Sequence, residues 1–278
     1  MGINKLNKPV KVKPSTPKLA LKLMYQRRLF KLIDEMQNSV MYWLMATYKQ
    51  RLPDIVEDIK TPLFKRIYRY VTDASPSREI EKRFKQVMRR WTKKFNEMSD
   101  KLANDFVQRA NTSTTASFMQ NLKKKGFVVQ LDNSYATNNV LQALILENTR
   151  LIKSIPQKYF LEVQGILMRG IANGRDAGLI TKELSERYGI VKRRAAMISR
   201  DQTNKAVETI SRERSKSLGI TKGVWIHRGG SKHPRESHIS MDGTIYTLAE
   251  GCYDYAVQRN VQAGELINCN CTYSPYIE

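Results

Sequence analysis

The sequence predicts a mainly helical α+β protein, with long N-terminal helices followed by a small C-terminal α+β module. Apolar residues recur at three- and four-residue spacing over most of the first two thirds of the chain, which is the pattern of amphipathic helices. After residue 217 the pattern changes to short runs of β-branched and aromatic residues between turn residues, which is typical of strands. With 278 residues, 41% of them hydrophobic, the chain is long enough for a buried core.

Composition and periodicity divide the chain into four predicted regions. These are a basic extended arm (1–17), a basic helical region (18–130), a helical connector (131–189) and the α+β module (190–278). The arm contains four lysines and three prolines and shows almost no apolar periodicity. We therefore expect it to be extended and to order on contact with a neighbouring subunit or nucleic acid.

The helical region begins with a periodic run from Leu19 to Leu52, which Pro53 ends. A second long helix is predicted to start at Ser75 and Pro76, because serine caps free amides and proline fits the first helical position. Further helices are predicted to end at Lys123–Gly126 and to cover 137–153, 157–173, 181–188 and 191–217. Short strands are predicted at Phe127–Leu131, Val224–Ile226 and Ile245–Leu248, with a final edge strand at Cys271–Ile277.

The net charge of +22 is unevenly distributed along the chain. Residues 1–130 hold 28 Lys and Arg against 11 Asp and Glu, whereas residues 201–278 hold nine of each. A surplus of this size attracts polyanions, so nonspecific binding of double-stranded DNA is expected, with a merely solvated basic surface as the alternative. The candidate DNA-binding residues are Lys82, Arg83, Lys85, Arg89, Arg90, Lys93, Lys94, Lys123, Lys124 and Lys125.

Membrane partners are not expected, because the chain has no run of about 18 apolar residues. The first residues also lack the apolar segment of a signal peptide, which favours synthesis and use in the cytoplasm.

The most distinctive feature is an ordered set of residues near the C-terminus. It comprises Arg200 and Asp201 in a helix, Trp225 in a strand, then Arg235, Ser237, His238, Asp242 and Gly243, and finally Gly264, Glu265, Asn268, Cys269 and Cys271. Over about residues 150–276 this order resembles the core of the phage Mu F-like head morphogenesis proteins. Two positions depart from that pattern: Ala263 stands where the family has proline, and Asn270 where it has arginine.

The resemblance implies a structural minor capsid protein of a tailed phage. Such a protein would associate with the portal protein at the portal vertex, join the major capsid or scaffold protein during assembly in the host cytoplasm, and contact packaged DNA inside the virion. The alternative is a nuclease, in which His227, His233 or His238, together with Asp242, would activate water. No pair of carboxylates that could hold a catalytic metal accompanies these histidines, so a non-enzymatic protein is preferred. A cellular DNA-binding protein is a third class, disfavoured because no helix-turn-helix or zinc-finger pattern is present.

In the family motif, Arg200 and Asp201 face the sheet that follows. Together with His238 they could take part in acid–base catalysis, but a buried ion pair that orients the helix on the sheet is preferred. Gly243 and Gly264 are expected to occupy turns, and Trp225 is expected to anchor the core.

Only three cysteines occur, all near the C-terminus, and an odd number argues against a disulfide framework. The resemblance suggests zinc ligands in relatives that carry a second cysteine pair, but here His238, Cys269 and Cys271 remain, with Cys252 as an unpatterned fourth. Three ligands are too few for a closed structural zinc site, so no metal or other cofactor is expected, with zinc bound by His238, Cys269 and Cys271 as the alternative.

The preferred interpretation of this region is a hydrogen-bonded corner. Arg235, His238 and Asp242 would hold their loop to the C-terminal strand, which carries Cys269 and Cys271.

Overall fold

The computed structural model describes residues 8–49, 76–132, 134–172, 177–229 and 233–278. It confirms the mainly helical α+β class. The helices are α1 (Leu19–Lys49), α2 (Pro76–Lys123), α3 (Tyr135–Ala172), α4 (Ala177–Ser217) and α5 (Glu236–Ser240). The strands are β1 (Val10–Lys11), β2 (Lys222–Ile226), β3 (Ile245–Thr247), β4 (Cys252–Asp254), β5 (Arg259–Val261) and β6 (Thr272–Ile277). Among these described helices, none is long and apolar enough to span a membrane.

The predicted break inside α2 is wrong, because one helix continues to Lys123 where a separate short helix was expected. Within the polar stretch around residues 111–117, two hydroxyl groups find partners inside the continuous helix. Thr112 donates to the carbonyl of Gln108 at 3.1 Å, and Thr115 donates to Asn111 Oδ1 at 3.2 Å. The end at Lys123 with a glycine beyond it is as predicted: Gly126 has a φ of +88°. The predicted end of α1 at Pro53 lies outside the described residues.

The predicted breaks near residues 155 and 189 are wrong as well, because α3 runs through Pro156 and α4 runs through Gly189. A proline removes one helical hydrogen bond, and a glycine costs about 1 kcal/mol in a helix. Buried side chains flank both positions, namely Ile155 and Tyr159 in α3, and Leu184 and Val191 in α4. Packing on both sides of each breaker therefore keeps the helix continuous.

The chain forms two compact units, and each is assembled from separate stretches. Unit 1 comprises 1–27, 100–150 and 196–278, and unit 2 comprises 28–99 and 151–195. Unit 2 is helical. Within it Tyr188 donates to Asp34 Oδ1 at 2.6 Å, and Phe84 packs edge-on against Phe160 with ring centroids 5.9 Å apart.

Unit 1 contains a four-stranded antiparallel sheet in the order β1-β6-β2-β3. The predicted strand at the C-terminus exists as β6, but its predicted edge position is wrong, since β1 covers it. Val10 pairs with Ile277, and the amide of Val12 donates to the carbonyl of Pro275 at 2.9 Å. The described part of the basic arm thus lies along the chain's own sheet.

The predicted strand at Phe127–Leu131 is wrong: these residues form no ladder, although Phe127, Val129 and Leu131 pack partly buried on the core of unit 1. That core lies around Trp225, which is fully buried as expected. The hairpin of β4 and β5 and the short α5 were not predicted. Each is three to five residues long, which is too short to show a periodic pattern.

Candidate functional site

The histidine and two of the cysteines singled out in the motif meet in the interior of unit 1. His238 lies on α5, whereas Cys269 and Cys271 lie in the loop that precedes β6, with Cys271 directly before the strand. His238 Nδ1 is 3.4 Å from Cys269 Sγ and 3.6 Å from Cys271 Sγ. The three side chains are buried, and their nitrogen and sulfur atoms all lie within 4.8 Å of one another.

The other ring nitrogen of His238 contacts Asp254, a residue that the sequence reasoning missed. Nε2 lies 3.1 Å from Asp254 Oδ2, and the amide of Ala256 donates to Oδ1 at 2.9 Å. Burial opposes ionisation of Asp254, but the Ser237 hydroxyl, the Ala256 amide and the His238 ring outweigh it and lower the pKa. Asp254 is therefore a carboxylate that fixes the orientation of the imidazole. It ends the short strand β4, where no spacing signal marked it.

The ionisation states within the cluster are linked. A hydrogen bond from the Cys271 thiol lowers the pKa of Cys269, despite burial and with further help from His238, while the same contact raises the pKa of Cys271. Burial alone would lower the pKa of His238, but Cys269 and Asp254 outweigh that effect and raise it. The cluster therefore favours a Cys269 thiolate beside His238 and the Asp254 carboxylate.

A second histidine stands beside the same cluster. His227 follows β2 directly, and its Nδ1 lies 3.5 Å from Cys271 Sγ. Its backbone amide donates to Asp242 Oδ1 at 2.8 Å. Asp242 therefore holds the segment that carries His227, rather than contacting His238.

The loop that carries Cys269 is tied down by three further motif residues. Arg200 donates to Asn268 Oδ1 at 2.9 Å, the amide of Asn268 donates to Asp201 Oδ1 at 2.6 Å, and Arg235 donates to the carbonyl of Ile267 at 3.0 Å. The preferred ion pair between Arg200 and Asp201 is therefore wrong. Both neighbouring side chains instead bond to Asn268. Asn268 has a left-handed φ of +60°, and this conformation positions Cys269, the next residue.

The turn residues of the motif occupy the conformations predicted for them. Gly243 and Gly264 have φ values of +80° and +77°. Glu265 accepts a hydrogen bond from the amide of Gln262 at 2.8 Å and pairs with Arg259 at 2.7 Å. Trp225 packs edge-on against the His238 ring, with centroids 5.3 Å apart. The Glu265 contacts stabilise the turn before Cys269, and the Trp225 ring packs against one side of the cluster.

Glu208 on α4 is a buried acid that the sequence reasoning also missed. Its Oε1 accepts a hydrogen bond from Thr272 at 2.6 Å. Burial raises its pKa to about 8, against the opposing effects of the Thr272 and Tyr273 hydrogen bonds and the charge of Arg212. The carboxyl group is therefore mostly protonated at neutral pH. In the sequence, the signal for its burial is its position among the apolar residues that recur at helical spacing in α4.

The candidate DNA-binding residues lie on α2 and at its end. Lys82, Arg83, Arg89 and Arg90 are exposed, as are Lys123, Lys124 and Lys125. The remaining three pair with glutamates: Lys85 with Glu81 at 2.6 Å, Lys93 with Glu97 at 3.8 Å and Lys94 with Glu35 at 2.7 Å. Those ion pairs reduce the charge that three of the ten residues offer to a polyanion.

The arrangement of Cys269, His238 and Asp254 has the order of a nucleophile, a base and an orienting carboxylate. However, their exposed fractions are 3%, 2% and 0%, so a substrate would have no access to the sulfur. The histidines of the nuclease alternative do not form one group with Asp242, because Asp242 holds a backbone amide and His233 is exposed.

Part of the chain, including this cluster, is similar to a known protein family. Residues 162–274 match the family model described as Phage Mu protein F like protein. An uncharacterized protein of Haemophilus influenzae is 28% identical over 183 residues, which cover 65% of this chain and 40% of that protein. The uncharacterized protein YqbB of Bacillus subtilis is 27% identical over 127 residues, covering 42% of this chain and 41% of YqbB.

The chain spans about two fifths of the length of these curated relatives. No solved structure matches it significantly. The family match covers α4, the sheet strands β2 and β3, the first half of β6, and every residue of the cluster described above. Over residues 162–274, the chain is therefore similar to the Phage Mu protein F like family.

Proposed function

We propose that this protein is a structural minor capsid protein that takes part in assembling the head of a tailed phage, where it associates with the portal vertex and contacts packaged DNA. The observation that carries the proposal is the family match over residues 162–274. The contacts of the motif residues support it, because Arg200, Asp201 and Arg235 hold a loop and Asp242 holds a strand end. Residues used in this way stabilise a fold that other proteins can bind.

The DNA contact is proposed for the basic residues of α2. Lys82 and Arg89 are seven residues apart, as are Arg83 and Arg90, so each pair lies on one face of the helix about 10 Å apart along its axis. All four side chains are exposed. Lysine and arginine contacts to phosphate release counterions and carry no sequence information, so binding should be nonspecific and sensitive to salt.

A salt series with the full chain and duplex DNA tests this contact. If about six phosphates are neutralised, log K should fall against log salt with a slope of roughly −5. Replacing Arg83, Arg89 and Arg90 by glutamine should lower the affinity and make the slope shallower by about 3. A control with Lys101, Lys158 and Lys182 replaced by glutamine removes the same charge from exposed positions outside the candidate set. If both triple variants lose the same DNA affinity, binding depends on the overall charge of the chain and not on these residues of α2.

Portal association is tested by co-expression with the portal protein of the same phage or prophage. The full chain should co-purify with assembled portal rings at high salt, where contacts that depend only on charge are screened. Failure to co-purify, with both proteins folded, would contradict portal association and leave DNA binding to be judged by the salt series.

Within the part of the chain that the structure describes, the Cys269, His238 and Asp254 arrangement favours an enzyme, as either a hydrolase or the nuclease alternative. Incubating the full chain with labelled DNA and RNA in magnesium, manganese or zinc should leave both intact. Cleavage that is lost in His238→Ala but kept in His233→Ala would establish the enzymatic alternative, since His233 is exposed.

A further inference from the structure

We propose that His227, His238, Cys269 and Cys271 bind one zinc ion as a closed structural site, with Asp254 as the carboxylate that orients His238. The proposal is independent of the proposed function. The sequence alone offered three ligands with Cys252 as an unpatterned fourth. The structure offers His227 instead, because its Nδ1 lies 3.5 Å from Cys271 Sγ.

The distances among His238, Cys269 and Cys271 fit ligands around a shared ion, and His227, which lies near Cys271, would move closer to the other two to complete the set. Zinc binds sulfur at about 2.3 Å and nitrogen at about 2.0–2.1 Å, so tetrahedral angles hold the two ligand atoms about 3.5 Å apart. The three nitrogen to sulfur distances in the cluster are 3.4, 3.5 and 3.6 Å. His238, Cys269 and Cys271 form the tight part of the set, and His227 adjoins it through Cys271.

Hydrogen bonding alone explains the position of His238 Nδ1 less well than a shared metal ion does. Its Nδ1 lies almost equally far from two sulfur atoms, yet a neutral or protonated ring carries only one hydrogen on that nitrogen. A metal between the sulfurs accepts the Nδ1 lone pair and contacts both of them. Nε2 then keeps its hydrogen and donates it to Asp254 at 3.1 Å, which is the usual carboxylate–histidine–zinc arrangement.

The backbone also presents amide groups to both sulfurs. The amides of Cys271 and Gly264 face Cys269 Sγ, and the amide of Arg228 faces Cys271 Sγ. Amide hydrogen bonds stabilise the charged form of an acid. Two thiolates with two imidazoles select zinc over magnesium and calcium, which prefer oxygen ligands.

Metal analysis of the full chain, purified without added metal or chelator, is the first test. We expect about one zinc ion per chain, and the same amount in Cys252→Ser. Cys252 is a matched control because it is a buried free cysteine outside the cluster. Cys269→Ser and Cys271→Ser should each lose the zinc. A metal-free wild type that also fails to take up added zinc, or zinc retained in both serine variants, would overturn the site, and stoichiometric iron would overturn its assignment to zinc.

Folding failure of the serine variants would not decide the question, so spectroscopy on the wild type provides a second measurement. Cobalt added to the metal-stripped chain should give the intense visible bands of a tetrahedral ion and a thiolate-to-cobalt band in the near ultraviolet. Weak bands without the thiolate band would overturn the proposal.

Two variants test the individual roles. In His227→Ala, cobalt should keep its thiolate band while its visible bands shift as water replaces the lost imidazole. An unchanged spectrum would remove His227 from the ligand set. Asp254→Asn keeps all four ligands and should weaken zinc binding by roughly 10- to 100-fold in competition with a chromophoric chelator, because the histidine loses its orienting carboxylate. Unchanged affinity would remove Asp254 from its positioning role.

Discussion

Replacing Glu208 by glutamine should remove a pH-dependent loss of stability. The folded chain holds this carboxyl group with a pKa of about 8, against an ordinary value of 4.5. The pKa is therefore higher in the folded state. Between about pH 4.5 and 8, the folded chain still holds this proton, whereas the unfolded chain has lost it. Unfolding then releases a proton, and stability falls as the pH rises through that window.

The size of the effect follows from the two pKa values. One pKa unit is worth about 1.4 kcal/mol, so the wild type loses on the order of 3 kcal/mol between pH 5 and pH 8 through this group. Glutamine cannot ionise, and its Oε1 can keep accepting the hydrogen bond that Thr272 donates at 2.6 Å. The stability difference between Glu208→Gln and the wild type should therefore grow in favour of the variant by about that amount.

Urea unfolding of the full chain at a series of pH values, followed by tryptophan fluorescence, measures this difference. Trp225 reports on unit 1, where it is fully buried. Glu186→Gln serves as a control because it replaces an exposed glutamate on the same helix, and its difference from the wild type should stay flat. A flat difference for Glu208→Gln as well would show that burial does not hold the proton on this residue.

Two further variants test contacts within unit 1 by the same urea assay. Gly264→Ala should destabilise the chain by about 1–3 kcal/mol more than Gly243→Ala, since both glycines have positive φ but only the added Cβ at Gly264 would meet Glu208 Cγ, at 2.8 Å; equal losses would mean that this close approach is not rigid. Arg214→Lys should cost about 2–3 kcal/mol, because the buried guanidinium donates to Thr115, Asn111 and the carbonyl of Asp132, which one ammonium group cannot all reach. Arg193→Lys is the exposed control, and a comparable loss there would refute the argument.

Periodicity predicted the fold class well and the helix boundaries poorly. The stripes in α2 and α4 marked these segments as helical, but local breakers such as Pro156 and Gly189 suggested ends that do not exist. A breaker is a local signal, whereas the packing of Ile155, Tyr159 and Val191 that overrides it depends on the whole unit. Strands β2 and β3, which each carry three β-branched or aromatic residues in a row, were located, as was β6. The same pattern at Phe127–Val129 forms no strand, and the short hairpin of β4 and β5 was missed.

For the site, the ordered motif identified the residues but not their partners. His238, Cys269 and Cys271 were expected at one corner, and they meet there. Asp254 and His227 could not be assigned to that corner from their spacing in the sequence. Asp254 reaches the corner because it lies in the hairpin of β4 and β5, and His227 reaches it because it directly follows β2. In the same way, Arg200 and Asp201 bond to Asn268 because Asn268 has a left-handed backbone conformation. Asparagine adopts that conformation more often than most residues, but its presence in the sequence does not predict it.

The proposal that this chain, which is similar to the Phage Mu protein F like family over residues 162–274, belongs to the phage head is tested most directly by quantitative mass spectrometry of purified heads. The heads should come from the phage or prophage that encodes it, with equal amounts of protein compared before and after DNA packaging. We expect the chain in both preparations, in far fewer copies than the major capsid protein and in a constant ratio to the portal protein. Heads that assemble and package DNA without containing the chain would contradict the proposal.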